Sequence, residues 1–143
     1  MKQLLLLLFI LSCHHIVAQT SEKDDKKAIE AVLKAQRLAW SDDNMEAYMD
    51  NYWKSDSLKF YGKNGMIEGW GNVFEKYNKE FPDKNHTGIL SYKINDISKI
   101  SEGAYFVLGE YHIKRNAGNA DGFFMLIFKK INDVWKIIAN TSV

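Results

Sequence analysis

GFFMLIFKKINDVWKIIANTSV, residues 122–143, is the stretch whose reading decides the fold. It divides at Asn132-Asp133, a pair typical of tight turns, and each half has strand composition. In the first half Phe124, Leu126 and Phe128 point one way and Phe123, Met125 and Ile127 the other, because side chains alternate along a strand. Antiparallel sheets usually leave one face to water. Here both faces are apolar, so both need cover. Helices can cover one; a second copy of the chain is expected on the other, giving a homodimer through the sheet face.

Reading outward, GAYFVLGEYHIKR (103–115) predicts another strand, separated from the last two by the turn Asn116-Ala117-Gly118-Asn119. TGILSYKINDISKIS (87–101) predicts a long strand whose apolar phase slips at Asn95-Asp96, the mark of a bulge. Strands joined by short connections pair antiparallel. Upstream, the apolar residues from Lys26 to Trp40 repeat at helical spacing, after a polar lead-in over 19–25. Asp42 or Asp43, with Glu46, is expected to cap a second, aromatic helix carrying Met45, Tyr48, Met49, Tyr52 and Trp53. SLKFYG predicts a short strand, and Gly71 to Phe81 a third helix closed by Pro82. The expected class is α+β, a mostly antiparallel sheet packed on three helices.

Residues 1–18 read as a secretory signal peptide: Lys2, an apolar run from Leu4 to Leu11, and a small residue at Ala18. The run is too short for a transmembrane span. Cleavage after Ala18 makes a periplasmic or secreted protein; lipidation at Cys13 is the alternative. Residues 19–143 then form one domain. Without Lys2 the 19 basic residues fall to 18, matching 18 acidic ones. The one basic cluster, Lys26-Lys27, follows Asp24-Asp25 and reads as a solvated first turn, and a neutral chain of this kind is a poor nucleic-acid binder.

Glu110 and His112 share a strand face with Phe106 and Leu108. They are candidates for a carboxylate–imidazole general base, for polar ligand contacts, or for the polar end of a strand. Asp121 is a further candidate base, or a turn cap. His86 and His112 are the histidines beyond the leader, and no H-x-H or HExxH spacing exists, so no metal site is expected. No glycine-rich phosphate loop or serine elbow occurs, and no cofactor is expected. Nine aromatic residues crowd into 40–77. Tyr48, Tyr52, Tyr61 and Trp70 are expected on the wall of a small-molecule cavity, since rings with polar handles suit a moderately apolar ligand.

AWSDDNMEAYMDNYWKSDSLKFYG, the Gly69-Trp70 step, Asp121-Gly122-Phe123 and the terminal VWKIIANTSV together resemble the SnoaL-like branch of the NTF2-like superfamily. Within it, the chain is most similar to an uncharacterised group related to ketosteroid isomerase. The resemblance covers about residues 25–143. It implies a cone, a curved sheet wrapped against three helices with a pocket between them, and usually a dimer. It also implies a polar terminal position, here Asn140, expected as a ligand contact on the cavity wall because its amide can both donate and accept. The isomerase base would fall at Phe60-Tyr61-Gly62 and its hydroxyl donor near Ala35, where this chain has no counterpart. Three functions stay open: a binder of a small, moderately apolar molecule; an isomerase or hydratase acting on an apolar carbonyl compound; and a structural or interaction domain.

Overall fold

The computed structural model describes residues 17–143, with side chains from Glu22 onward. The expected leader, with Lys2, the 4–11 run and Cys13, lies outside the described residues except for Val17 and Ala18. The elements are α1 (Val17–Ser41), α2 (Met45–Met49), β1 (Lys59–Gly62), β2 (Gly65–Glu68), α3 (Trp70–Glu80), α4 (Lys84–Thr87), β3 (Ile89–Ser101), β4 (Ala104–Lys114), β5 (Ala120–Ile131) and β6 (Val134–Ser142).

The strands form one sheet in the order β2-β1-β6-β5-β4-β3. Its long strands make an antiparallel meander, as expected, but β1 runs parallel to β6, so the sheet is mixed. A parallel pair needs a long crossover, and everything from β2 to β5 supplies it. The β5–β6 turn places Asn132 at φ 49° and Asp133 at φ 63°, the left-handed pair that matches the twist of a two-residue hairpin. The phase slip predicted at Asn95-Asp96 is a register shift between Ile94 and Asp96. With further shifts after Lys99 and Ile127, it bends the sheet.

The core lies between the sheet and α1, which presents Ile29, Leu33, Gln36 and Trp40 on one stripe. Several local expectations need correction. Residues 19–25 are not a polar lead-in but belong to α1; Asp25 is buried there, paired with Lys130 of β5 at 2.7 Å. The cap of α2 is neither Asp42 nor Asp43 but Asn44, whose side chain accepts from the Ala47 N–H at 2.9 Å. Asp43 adopts φ 60° and accepts the Thr87 hydroxyl at 3.0 Å. Tyr52 and Trp53 lie beyond α2, where Tyr52 bridges to Ile137 and the Trp53 N–H donates to the Ile137 carbonyl. Pro82 follows α3 as expected, and α4 is an unanticipated single turn capped by Asp83.

Both faces of β5 are apolar in place. Phe124, Leu126 and Phe128 are buried against the helices, while Phe123 is 64% and Met125 42% exposed on the outer face.

Candidate functional site

Alternation along β4 and β5 sends Tyr105, Val107, Tyr111, Phe124 and Leu126 toward the helices. Between sheet and helices a cavity of about 270 Å³ remains. Two glycines make room for it. Gly109 pairs with Phe124 and Gly122 with Tyr111 across adjacent strands. A Cβ on Gly109 would come within 2.5 Å of the Phe124 ring, and one on Gly122 within 2.7 Å of the Tyr111 ring and hydroxyl. Each ring lies over its glycine, as a strand glycine permits.

The closed end of the cavity is formed by the buried Gln36, Tyr52, Leu126 and Asn140. Trp40, Tyr48 and Phe124 form its sides, joined by the half-buried Tyr77 and Tyr92. Its open end is framed by Tyr111, Ile113, Arg115 and Ala120. The polar groups form a chain. The Ser142 hydroxyl donates to Asn140 Oδ1 at 2.7 Å, and Asn140 Nδ2 donates to the Tyr52 hydroxyl at 2.9 Å. The Tyr52 and Tyr48 hydroxyls stand 3.3 Å apart. The Tyr92 hydroxyl donates to Gln36 Oε1 at 3.0 Å. Gln36 Nε2 is buried without a hydrogen-bond partner, which is costly for an amide unless something else accepts from it.

Burial pushes the Tyr48, Tyr77 and Tyr92 hydroxyls well above the ordinary tyrosine value of 10.0, and the neighbouring hydroxyls add to it. Burial also raises Tyr52, held back by its hydrogen bonds to Tyr48 and Asn140 and by the Gln36 amide beside it. These groups are protonated at neutral pH and act as hydrogen-bonding hydroxyls, able to donate and accept, not as bases.

Of the residues expected on the wall, Tyr48, Tyr52 and Asn140 are brought together there. Tyr61 is instead 58% exposed on β1 and borders a second recess of about 220 Å³, beyond Tyr77 and Phe81, which line both. Trp70 is off the cavity: its indole N–H donates to the Met49 carbonyl at 2.9 Å and its ring stacks on Phe74, tying α3 to α2.

Glu110, His112 and Asp121 are also brought together, but on the outer face of the sheet. His112 Nδ1 is 2.7 Å from Asp121 Oδ1, and Nε2 is 3.9 Å from Glu110 Oε2. Glu110 Oε1 accepts from Lys93 at 2.8 Å and Asn95 at 3.2 Å, and the Lys93 ammonium, then Asn95, holds its carboxyl below the usual range. Glu110 and His112 therefore do not reach the apolar cavity. The face they share with Phe106 and Leu108 is the one turned away from the helices, where Leu108 is 39% exposed. Among the described residues no cluster of three or more histidine, cysteine, aspartate or glutamate side chains could hold a metal ion.

The sequence reading missed Gln36, Tyr92, Tyr111 and Arg115. Gln36 carried a signal: it sits on the apolar stripe of α1, three residues after Leu33 and four before Trp40, where a polar side chain calls for a reason.

No protein-family model matches the chain, and no curated protein is similar to it. Solved structures are. An NTF-2 like protein of unknown function from Shewanella oneidensis MR-1 is 32% identical, with 82% of this chain aligned to 98% of that one at a TM-score of 0.79. A domain of unknown function with a cystatin-like fold from Nostoc punctiforme is 14% identical over 84% of this chain and 76% of that one, with a TM-score of 0.71. A ketosteroid isomerase-like protein from Erwinia carotovora atroseptica is 17% identical over 81% and 92%, with a TM-score of 0.63. The last two share the fold alone. The first, aligned over nearly its whole length, shares more, and with its helix-backed sheet and lined cavity this chain belongs to the NTF2-like superfamily.

Proposed function

We propose that the protein binds a small, moderately apolar molecule in the cone, as a member of the SnoaL-like branch. One observation carries this reading: the cavity holds a completed hydrogen-bond chain through Ser142, Asn140, Tyr52 and Tyr48, yet leaves the buried Gln36 amide nitrogen unpaired. A bound oxygen acceptor, a carbonyl or hydroxyl on a compact ring, would satisfy it. Isomerase or hydratase chemistry needs a base beside the ligand, and the described residues lining the cavity include neither a carboxylate nor an imidazole. Binding is therefore the better-supported reading.

The test is thermal stabilisation by a panel of hydroxylated and ketonic one- and two-ring compounds. Wild type should be stabilised by members of the panel, and Leu126→Trp, which fills the closed end, should not respond. An unresponsive wild type, or an equal response from Leu126→Trp, refutes the reading.

The working form is an exported homodimer, the second copy covering the outer sheet face. Residues 1–18 direct export, with cleavage after Ala18 or lipidation at Cys13. Intact mass of the protein from its natural host should show a start at Gln19 or an acylated Cys13; Met1 retained refutes it.

A further inference from the structure

We propose that the ligand is a small organic monoanion, its apolar body in the cone and its carboxylate on Arg115 at the open end. This rests on the binding reading above and adds the charge. Among the described residues Arg115 is the only charged one lining the cavity. Its Nε donates to the Gly118 carbonyl at 2.6 Å and its Nη1 to the His86 carbonyl at 2.9 Å, and the guanidinium lies 5.7 Å from the centre of the Phe81 ring. Phe81 is itself part of the cavity wall.

Those contacts hold the side chain without neutralising it. Carbonyl oxygens carry only partial charge, and among the described residues no carboxylate forms an ion pair with Arg115. Two main-chain bonds and an aromatic face fix the fork in advance, so little side-chain freedom is left to lose on binding. Nη2 makes no hydrogen bond within the described chain and is free to donate, in a charge-assisted bond stronger than a neutral one. An anion entering the cone thus meets a fixed cation and no opposing carboxylate on the wall. A cationic ligand meets the reverse.

The experiment compares 6-hydroxy-2-naphthoate with its neutral amide, 6-hydroxy-2-naphthamide, by titration calorimetry on wild type and Arg115→Gln. Wild type should bind the acid about tenfold or more tightly than the amide, the scale of one good charge-assisted contact. Arg115→Gln should remove that advantage, so that within the variant the acid binds no more tightly than the amide. The acid's affinity for wild type should also fall from low to high salt while the amide's holds, a measurement that needs no variant to fold. Equal binding of acid and amide overturns the anion inference and leaves the cavity reading standing. Binding of neither probe overturns the inference, and if the wider panel is silent too, the cavity reading fails with it.

Discussion

Tyr52 is the residue on which the cavity's polar chain turns. Its hydroxyl accepts from Asn140 and meets that of Tyr48, all of them buried. Tyr52→Phe keeps the ring and removes the acceptor, leaving Asn140 Nδ2 buried without a partner. The expected loss is about 1–3 kcal/mol in chemical denaturation, with a smaller one for Tyr48→Phe, whose hydroxyl makes the long contact at 3.3 Å. Equal losses from the two would mean that Asn140 is satisfied elsewhere. At this scale the sequence reading caught residues whose types announce them: Tyr48, Tyr52 and Asn140 have side chains that both fill space and bond. It missed Arg115, because nothing local distinguishes an arginine just past a strand end from any solvated one. Its place at the cavity mouth depends on carbonyls of His86 and Gly118, the former 29 residues away in the chain.

At the scale of elements, period was a sound guide and phase was not. The four long strands, the bulge near Asn95 and the helix closed by Pro82 all follow from spacing that survives in the fold. Which face of β4 meets the helices could not be read from the strand itself, because Phe106 and Leu108 are as apolar as Tyr105 and Val107. The choice is made by the partners: Gly109 admits the Phe124 ring and Gly122 the Tyr111 ring on the inner side. Gly109→Ala should therefore cost about 1–3 kcal/mol through overpacking, seen as a lowered denaturation midpoint, and no loss would mean that the Phe124 ring and the Lys93 carbonyl, which the new Cβ would meet at 2.5 and 2.7 Å, both give way freely. The outer side carries Phe106, Leu108, Phe123 and Met125 in cross-strand register, Phe106 beside Ile127 and Leu108 beside Met125. That patch is what a second copy would cover. Wild type should scatter light as a dimer, and Phe123→Glu combined with Met125→Lys as a monomer. A monomeric wild type would leave the patch without the partner proposed for it.

For the molecule as a whole, the layout concentrates ionisable hydroxyls where charge is least tolerated. Burial raises Tyr48, Tyr77 and Tyr92 well above 10.0 and raises Tyr52 and Tyr105 as well. The folded values lie above the unfolded ones, so the stability these groups contribute is fully present below about pH 10, the unfolded tyrosine value. It is lost as the pH rises from there through the folded values, because the unfolded chain releases protons that the cone retains. Five groups shifting in the same direction make the loss cooperative. On alkaline titration the tyrosinate absorbance of these five should therefore rise together with the loss of far-ultraviolet circular dichroism, in one transition above about pH 10. Tyr52→Phe removes one such group, and its variant should lose stability less steeply with pH in that range even though it starts from a lower value. Tyrosinate absorbance from all five appearing while the dichroism holds would mean that water and hydroxide reach the cone in the folded state, and that its walls are wetter than their packing indicates.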